Sequence, residues 1–310
     1  MSERLGCVFP GQGSQSVGML ADLAEHYAVV RDTLATAGQV LGMDLAALIT
    51  AGPAERLNQT EITQPAMLAA GVATWRAWLA AGGRYPQCMA GHSLGEYTAL
   101  VCSGALEFEE AVALTHERGR FMQEAVPADG GLMAAIMGLD DATLRACCER
   151  VAGDEVVAPV NFNAPGQVVI AGHAAAVRRA MEAATAAGAK RTQELAVSVP
   201  AHCELMRPAA ERLADRLATA TVRSPEVTVI RNSDLGTDPD PDAIRRCLTQ
   251  QLQRPVRWVE TIEAMRAAGI DQLLELGPGK VLSGLNRRID RRFPIQAVVD
   301  VDSLNSALEK

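Results

Sequence analysis

Short apolar runs alternate with long amphipathic segments along this chain, and this alternation constrains the fold more than any other feature. Residues 7–9 have the length and composition of a buried strand that ends at Pro10, and 88–90 form a second run of this kind. Apolar residues at helical spacing follow from Val17 and again over 61–80. Strands separated by helices favour a parallel sheet, so the sequence predicts an α/β fold.

The segment after residue 126 follows a different order of patterns. Its predicted elements are a strand at 133–137, a helix at 142–151, two strands within 156–171, a helix at 174–187 and a strand at 192–199. This β-α-β-β-α-β order is that of a ferredoxin-like unit. We therefore predict a small ferredoxin-like domain at 127–199, inserted into a larger α/β domain made of 1–126 and 200–310. A cleft between two such parts is a favoured place for a small-molecule site.

Charge and cysteine content exclude several classes of protein. The net charge is −8, whereas a broad nucleic-acid interface needs a basic surface, so no nucleic-acid partner is expected. The seven cysteines are scattered and lack a C-x-x-C spacing, which argues against a disulfide framework or a zinc site and favours the reducing cytoplasm. No signal-like N-terminal stretch and no apolar run near the ~20 residues of a membrane span are present, so we expect no membrane partner. Nothing in the sequence demands an oligomer, and we expect a monomer.

The sharpest local motif is Gly91-His-Ser-Leu-Gly95, a G-x-S-x-G sequence. It directly follows the strand pattern at 88–90 and precedes a helical pattern at 96–102, which is the context of a nucleophile elbow. The glycines allow a sharp turn that exposes the Ser93 hydroxyl at a helix N-terminus, where free N–H groups can stabilise an oxyanion. A chance Gly/Ser turn without chemistry remains the alternative for this motif alone.

A serine nucleophile needs a general base, and five histidines are candidates. His202 follows the strand pattern at 192–199 and precedes a helical pattern at 204–219, and strand ends are where sites in α/β folds lie. His92 lies beside the serine but points away from it. His26 and His116 fall in helical patterns, and His173 follows a strand of the small domain. We take His202 as the candidate base, with a purely structural histidine as an equal alternative.

Two glycine-rich loops resemble nucleotide-binding motifs only superficially. Residues 10–15 follow the first strand, but the third glycine of a dinucleotide loop is displaced to Gly18 and no acidic residue closes a second strand. We interpret this loop as a turn that places the amide and backbone of Gln12 beside a neighbouring strand's elbow. Residues 277–280 lack the spacing of a phosphate-binding loop and are interpreted as a plain turn.

Arg118 interrupts the apolar face of a helix predicted over 108–125. Burying an unpaired guanidinium is costly, so such an arginine needs an anion. The candidates are a structural carboxylate, from Glu96 or Glu117, and the carboxylate of a substrate. On the residues alone the structural carboxylate is favoured.

Seven segments together resemble the bacterial malonyl-CoA:acyl carrier protein transacylase family. They keep the family's order and spacing over essentially the whole chain: Phe9-Pro-Gly-Gln-Gly-Ser-Gln15, Gly91-His-Ser-Leu-Gly-Glu-Tyr97, Arg118-Gly-Arg-Phe-Met-Gln123, Asn161-Phe-Asn-Ala-Pro-Gly-Gln-Val-Val-Ile-Ala-Gly172, Val197-Ser-Val-Pro-Ala-His202, Gln251-Leu-Gln-Arg-Pro-Val-Arg-Trp258 and Leu276-Gly-Pro-Gly-Lys280. The set is specific as a whole, although no single segment is. The resemblance implies an α/β-hydrolase-like core with a parallel sheet and the ferredoxin-like insertion.

The resemblance also implies the catalytic residues of a serine acyltransferase of type II fatty acid synthesis. Ser93 matches the nucleophile and His202 its base, whose ring is held by the main-chain carbonyl of Gln251 in place of a triad acid. Gln12 and the backbone N–H of Leu94 match the oxyanion hole. With a carbonyl as its partner, the histidine is expected to lose activity as it protonates below neutrality.

Substrate recognition is implied in the same way. Arg118 matches the ligand of the malonyl carboxylate, and Asn161 and Asn163 fall in the segment that lines the coenzyme side of the cleft. Ala201 stands where the family commonly has a small hydroxyl residue, a difference not expected to alter the chemistry. The implied reaction moves the malonyl group from malonyl-CoA to the phosphopantetheine thiol of acyl carrier protein through a malonyl-serine ester. It uses no metal or further cofactor.

Other functions remain open at this point. A serine esterase or thioesterase also carries G-x-S-x-G, but its acid would come from aspartates that lie in or beside the predicted insertion: Asp129, Asp140, Asp141 and Asp154. A non-catalytic carrier-binding protein would not need Ser93, His202 and Arg118 intact. Supply of a polyketide synthase, instead of fatty acid synthesis, is the alternative within the acyltransferases.

The carrier proteins that the resemblance implies are small and strongly acidic, whereas this chain is itself acidic. Docking therefore needs a local basic patch. Two clusters are candidates: Arg287, Arg288, Arg291 and Arg292, and Lys190 with Arg191. A solvated helix face is the alternative for either cluster.

Overall fold

The computed structural model of the chain describes residues 4–127, 129–197 and 199–309. Within these residues, nine strands, fourteen α-helices and one short 3-10 helix are formed. The strands are β1 (Leu5–Phe9), β2 (Cys88–Gly91), β3 (Gly131–Met137), β4 (Val157–Ala164), β5 (Gln167–His173), β6 (Arg191–Glu194), β7 (Thr228–Ile230), β8 (Gln272–Leu276) and β9 (Ile295–Val298). The α-helices are α1 (Ala21–His26), α2 (Ala28–Leu41), α3 (Leu45–Ala51), α4 (Ala54–Leu57), α5 (Thr60–Ala80), α6 (Gly95–Cys102), α7 (Phe108–Ala125), α8 (Asp141–Ala152), α9 (Ala174–Ala186), α10 (Arg207–Thr219), α11 (Pro241–Gln251), α12 (Trp258–Ala267), α13 (Val281–Ile289) and α14 (Val301–Leu308).

Five parallel strands form the larger sheet, in the order β7-β2-β1-β8-β9. Every residue of β1 and β2 is buried. Successive residues of β1 enter different cores, since Cys7 and Phe9 pack on one face of the sheet and Val8 on the other. Both faces are covered, as a parallel sheet requires. The predicted α/β class with a parallel sheet is confirmed.

The smaller sheet is antiparallel, with strand order β4-β5-β3-β6. β3 lies between β5 and β6, and β4 pairs with the outer side of β5. Helices α8 and α9 pack against this sheet through an apolar core that includes Ile136, Leu144 and Val177. The connectivity and strand order are those of a ferredoxin-like unit, so the predicted small antiparallel sheet is confirmed. The boundaries 1–126, 127–199 and 200–310 stay a prediction.

The last strand of the small sheet is shorter than the 192–199 predicted from its apolar alternation. β6 ends at Glu194. The N–H of Leu195 still donates to the Met133 oxygen at 2.9 Å, and Leu195, Val197 and Val199 line a cavity. Residue 198 lies outside the described residues. A chain segment that lines a cavity and the buried face of a strand can show the same alternation of apolar residues, which explains the error.

The helix predicted over 204–219 begins in a tighter form than expected. A 3-10 turn covers Glu204–Met206, and α10 starts at Arg207 with a proline in its first turn. Proline is favoured there because its missing N–H would have had no helical acceptor. His202 therefore sits on an irregular segment, with a left-handed φ of 66°, between the sheet and this turn.

A short backbone bridge joins the small sheet to the segment between α11 and α12. Val256, from the segment between α11 and α12, donates its N–H to Val160 at 2.8 Å and accepts the N–H of Phe162 at 3.0 Å. Both partners lie on β4, whose pairing with β5 is irregular at this point. The bridge holds β4 beside the chain that follows α11, with Asn161 between the two bonded residues.

No single helix in the described ranges is long and apolar enough to cross a membrane. Helices α2 and α3 meet the length and composition criteria only as a pair bent by 117°.

Candidate active site

The G-x-S-x-G segment forms a tight turn between β2 and α6, at the carboxyl end of its strand. Ser93 at the apex has a φ of 51°, in the left-handed region that non-glycine residues rarely adopt. Neither flanking glycine has room for a side chain: a Cβ on Gly91 would lie 1.9 Å from the carbonyl carbon of Gly95, and one on Gly95 would lie 2.1 Å from the Phe9 oxygen. Strand, turn and helix therefore stand in the arrangement of a nucleophile elbow.

Ser93 and His202 are in contact although 109 residues separate them. The serine Oγ lies 2.7 Å from Nε2 of the imidazole, and Nδ1 lies 2.7 Å from the main-chain oxygen of Gln251. A carbonyl oxygen can only accept, so Nδ1 carries the proton and Nε2 is left to accept from the serine hydroxyl. The pair is arranged for general-base activation of the serine.

The histidine is held in its neutral form. Burial lowers the pKa of His202 to about 3, the nearby Arg118 charge acts in the same direction, and the hydrogen bond to Gln251 opposes both. No aspartate takes part, because the two ring nitrogens are occupied by Ser93 and Gln251. Asp140, one of the candidate acids, instead caps α8 through the amide of Thr143.

Arg118 is buried in the same cavity, with 1% of its surface exposed. Its Nη1 donates to Oε1 of Gln64 at 2.6 Å and its Nη2 to Oε1 of Gln251 at 3.1 Å. Its Nε is buried without a hydrogen-bond partner in the described part of the chain. The guanidinium therefore donates hydrogen bonds to neutral amides, and the Glu96 carboxyl acts on its pKa without forming an ion pair with it.

The structural carboxylates considered for Arg118 are used elsewhere. Glu117 pairs with Arg216 at 2.6 Å, and Glu96 accepts the main-chain N–H of Asn232 at 2.8 Å. No ion pair of Arg118 occurs among the residues that the structure describes. The structural ion pair that the residues alone favoured is thus wrong, because both candidate carboxylates bind other groups.

Gln251 makes more contacts than its predicted main-chain role. Besides holding His202 and accepting from Arg118, its Nε2 donates to the main-chain oxygen of Ser93 at 3.2 Å. One residue therefore touches the nucleophile, the base and the arginine. No local pattern predicts these side-chain contacts of Gln251. Gln64 was not predicted as a site residue, although a polar side chain within the apolar helix α5 offered a signal.

The Gln12 loop lies directly against the elbow. A Cβ on Gly11 would come within 2.5 Å of the His92 oxygen, so only glycine permits this approach. Gln12 lines the cavity, and its Nε2 donates to Oγ1 of Thr60 at 3.3 Å. The N–H of Leu94, at the start of α6, donates to no acceptor in the described ranges. That amide is free for an oxyanion.

Asn161 and Asn163 project from β4 toward the elbow. Oδ1 of Asn163 accepts the Nε2 proton of His92 at 2.7 Å, whereas Oδ1 of Asn161 is buried at the cavity with no partner in the described chain. His92 is thus engaged away from the serine, and burial lowers its pKa. The other three histidines contact backbone groups away from the Ser93–His202 pair: His26, His116 and His173.

Most of these site residues line one cavity with a volume of about 110 Å³. The small sheet contributes Met133 and Val169 to its wall, and helices α5 and α7 contribute Gln64 and Arg118. A larger groove of about 740 Å³ lies near the start of α8, between Phe162 and Glu260. Its lining contains no serine, cysteine or histidine, so the smaller cavity is the one equipped for acyl chemistry.

Comparison with known proteins agrees with this geometry. A family model described as an acyl transferase domain matches residues 7–290. A malonyl CoA-acyl carrier protein transacylase from Escherichia coli (strain K12) is 55% identical over 302 residues, covering 97% of this chain and 98% of that protein. One from Bacillus subtilis (strain 168) is 41% identical over 307 residues, covering 99% and 96%.

Solved structures give the same result. An acyl carrier protein S-malonyltransferase from Vibrio cholerae superposes with a TM-score of 0.96 at 54% identity, covering 98% of this chain and 99% of that one. A chain from the complex of a type II PKS acyl-carrier protein with its malonyl-transacylase superposes with a TM-score of 0.98 at 53% identity, with 99% of each chain covered. This chain, whose elbow serine is hydrogen-bonded to His202, belongs to the malonyl-CoA:acyl carrier protein transacylase family of acyl transferases.

Proposed function

We propose that this protein transfers the malonyl group of malonyl-CoA to the phosphopantetheine thiol of an acyl carrier protein, through a malonyl ester on Ser93. The observation that carries the proposal is one small cavity that holds the hydrogen-bonded Ser93–His202 pair together with a buried arginine lacking a carboxylate partner in the described chain. The names of relatives that match nearly the whole chain support the same substrates.

The first half-reaction forms the ester. Ser93 Oγ attacks the thioester carbonyl while Nε2 of His202 takes the hydroxyl proton. The N–H of Leu94 and an amide of Gln12 stabilise the tetrahedral oxyanion, and one such donor is worth roughly 10²–10³ in rate. The C–S bond then breaks, and the histidine returns its proton to the leaving CoA sulfur.

The second half-reaction runs the same steps with a different thiol. The pantetheine sulfur of the carrier gives its proton to His202 and attacks the malonyl ester, and the serine oxygen leaves with that proton. Both half-reactions use the same serine as acyl acceptor or leaving group and the same histidine as proton carrier. We therefore propose ping-pong kinetics without a metal or additional cofactor.

Arg118 supplies the selectivity for malonyl groups. Its planar guanidinium can pair with the free carboxylate of the substrate in a bidentate manner, and this pair is strong inside a buried cavity. An acetyl group would leave the arginine desolvated and unpaired. Substrates with a terminal carboxylate are therefore favoured.

A trapping experiment tests the proposed function. The protein is incubated with malonyl-CoA alone, with holo carrier, and with apo carrier that lacks phosphopantetheine, and intact masses are measured. We expect one malonyl adduct on the protein alone, its discharge onto holo carrier and its persistence with apo carrier. Rapid release of free malonate would identify an esterase, and the absence of an adduct would identify a non-catalytic carrier-binding protein.

We also propose a place and a pathway for the reaction. All seven cysteines are unpaired, which supports a location in the reducing cytoplasm. Fatty acid synthesis is the proposed pathway. Supply of a polyketide system is the second candidate, because one close structural relative was solved with a type II PKS carrier. Comparing kcat/KM on carriers of both kinds distinguishes the two.

The rate of malonyl transfer should fall on acidification only at a lower pH than the sequence indicated. Because the pKa of His202 falls from its ordinary 6.5 to about 3, the imidazole stays neutral, and able to accept a proton, well below pH 6.5. We expect kcat/KM for malonyl-enzyme formation to change little through pH 6.5 and to fall only at lower pH. Stopped-flow measurement of CoA release checks this.

One other buried group titrates near neutrality and needs a control. Burial raises the pKa of Glu96 to about 7. A decrease of kcat/KM near pH 7 that disappears in Glu96→Gln would reflect the titration of this carboxyl. A decrease near pH 6.5 that persists in this variant would contradict the assignment of a buried, neutral His202.

The arginine cluster at and just beyond the C-terminal end of α13 should steer the carrier. Arg287 and Arg291 are exposed. Arg288 donates to Gln167 of β5 at 2.6 Å, so its replacement would disturb a contact between α13 and the small sheet. We expect Arg287→Glu with Arg291→Glu to raise the KM for carrier several-fold and to flatten its salt dependence, because steering depends on charge. Malonyl-enzyme formation should stay nearly unchanged.

The control for this variant carries the same change of net charge elsewhere. Arg56→Glu with Arg150→Glu replaces two exposed arginines on α4 and α8 whose side chains form no ion pair among the described residues. Equal effects of the two double variants on KM for carrier would show a general charge effect. No effect of either would place the docking site elsewhere.

A further inference from the structure

Asn232 lies two residues beyond the end of β7, which pairs with β2, the strand that leads into the nucleophile elbow. Because the two strands are parallel neighbours, their carboxyl ends meet at one edge of the sheet. Asn232 is completely buried, and it is not among the residues that line the active-site cavity. It therefore contacts the elbow on the side away from the cavity.

The side chain of Asn232 bonds to the backbone of the elbow at two points. Its Oδ1 accepts the N–H of Ser93 at 2.6 Å, and its Nδ2 donates to the oxygen of Gly91 at 2.5 Å. One amide group thus bridges the last residue of β2 and the nucleophile itself. An aliphatic side chain of the same size could make neither bond.

The main chain of Asn232 completes the contact with the far side of the turn. Its N–H donates to Oε2 of Glu96 at 2.8 Å, and Glu96 lies in the first turn of α6. Its carbonyl accepts the N–H of Arg257 at 3.2 Å. All the hydrogen-bonding groups of this residue are in use, and they join the strand, the apex and the helix of the elbow.

The conformation of Ser93 explains why such a contact is needed. A non-glycine residue at a φ of 51° is unfavourable and persists only where surrounding bonds hold it. The bond to Asn232 also occupies the Ser93 N–H, while the next amide, that of Leu94, has no acceptor in the described ranges. The turn is held so that the hydroxyl faces His202 and the Leu94 amide is free.

We propose that Asn232, itself oriented by Glu96, is a positioning residue that holds Ser93 in its reactive geometry. The inference rests on the proposed role of Ser93 as the nucleophile. It predicts a defect in reactivity and not in substrate binding. A displacement of about 1 Å at a reacting atom can cost of the order of 10²-fold in rate.

The test compares Asn232→Ala with Asn286→Ala. Asn286 is equally buried and also donates one side-chain hydrogen bond to a backbone oxygen, that of Phe293 at 2.7 Å, but it lies on α13. Both variants should lose thermal stability. We expect only Asn232→Ala to lower kcat for malonyl transfer about 10- to 100-fold, with an unchanged KM for malonyl-CoA.

A second readout does not depend on malonyl transfer. Phenylmethanesulfonyl fluoride reacts with activated serines, and its rate of covalent attachment, followed by intact mass, should fall in Asn232→Ala and not in Asn286→Ala. If the wild-type protein reacts with this probe but does not transfer malonyl groups, the proposed function fails while the positioning role is still tested.

Asn232→Asp keeps the experiment decisive if the alanine variant does not fold. The new carboxylate still accepts from Ser93 but repels the Gly91 oxygen, so probe reactivity should be low at pH 8 and recover at lower pH, where the carboxyl can donate. Glu96, Cys247, Asp234 and Arg231 also lie nearby, so the wild-type profile over the same pH range is the reference. The proposal would be overturned if either Asn232 variant reacted with the probe at the wild-type rate at pH 8. An equal loss of probe reactivity in Asn286→Ala, or a raised KM with unchanged kcat in Asn232→Ala, would overturn it as well.

Discussion

Replacing Ser93 with alanine should remove the malonyl adduct completely. Among the described residues that line the cavity, Ser93 is the only one with a hydroxyl or thiol, so no other side chain can take its place as nucleophile. Loss of the nucleophile in a serine hydrolase costs about 10⁶-fold in kcat, because the remaining groups cannot form the covalent intermediate. Intact-mass measurement after exposure to malonyl-CoA should show one adduct on the parent protein and none on Ser93→Ala.

A matched variant separates this effect from a loss of folding. Ser103 is also buried, and its Oγ donates to the Leu100 oxygen at 3.2 Å at the end of α6. Ser103→Ala should keep the adduct. An adduct that persists on Ser93→Ala would reject Ser93 as the nucleophile, and its loss from both variants would point to a folding defect.

Replacing Arg118 with alanine should change which acyl group is transferred. Truncating one partner of a buried, hydrogen-bonded charge pair costs about 2–5 kcal/mol, which corresponds to roughly 30- to 4000-fold in kcat/KM for malonyl-CoA. Acetyl-CoA loses no such pair, and the variant no longer leaves a buried guanidinium unpaired. The ratio of acetyl to malonyl transfer should therefore rise steeply in competition assays with both thioesters.

Two further variants define the role of Arg118. Arg118→Lys should not restore full malonyl transfer, because an ammonium group cannot reproduce the planar fork of the guanidinium. Arg216→Ala removes an arginine that pairs with Glu110 and Glu117, and it should lower stability without changing the acetyl-to-malonyl ratio. An unchanged ratio in folded Arg118→Ala would show that the arginine is structural.

Local patterns in the sequence were sufficient for most of the elements. Helix α7 begins and ends where its apolar spacing predicted, and the order of patterns after residue 126 predicted the small sheet. Such signals are local because a helix or a strand shows its periodicity within its own residues. The largest error among the elements, the length of β6, arose because Leu195, Val197 and Val199 line a cavity with the alternation of a strand.

Partners within the site were much harder to predict. The positions of Ser93, His202 and Arg118 came from motifs and from the family resemblance, but the residues alone assigned Arg118 to a structural carboxylate. Which carboxylate is within reach depends on how helices pack, and packing placed Glu117 against Arg216. The side-chain contacts of Gln251 reach residues 133 and 158 positions away, far outside any local pattern.

By itself, the sequence determined the α/β class, the small ferredoxin-like sheet and the elbow, because spacing of glycines, apolar residues and a serine along one stretch of chain decides local turns and faces. Only the tertiary structure decided what surrounds that elbow. The sheet order β7-β2-β1-β8-β9 brings Asn232 behind Ser93 and leaves Arg118 with neutral partners in the described chain. Strand order is a property of global packing, since strands distant in sequence become neighbours only when the whole core forms.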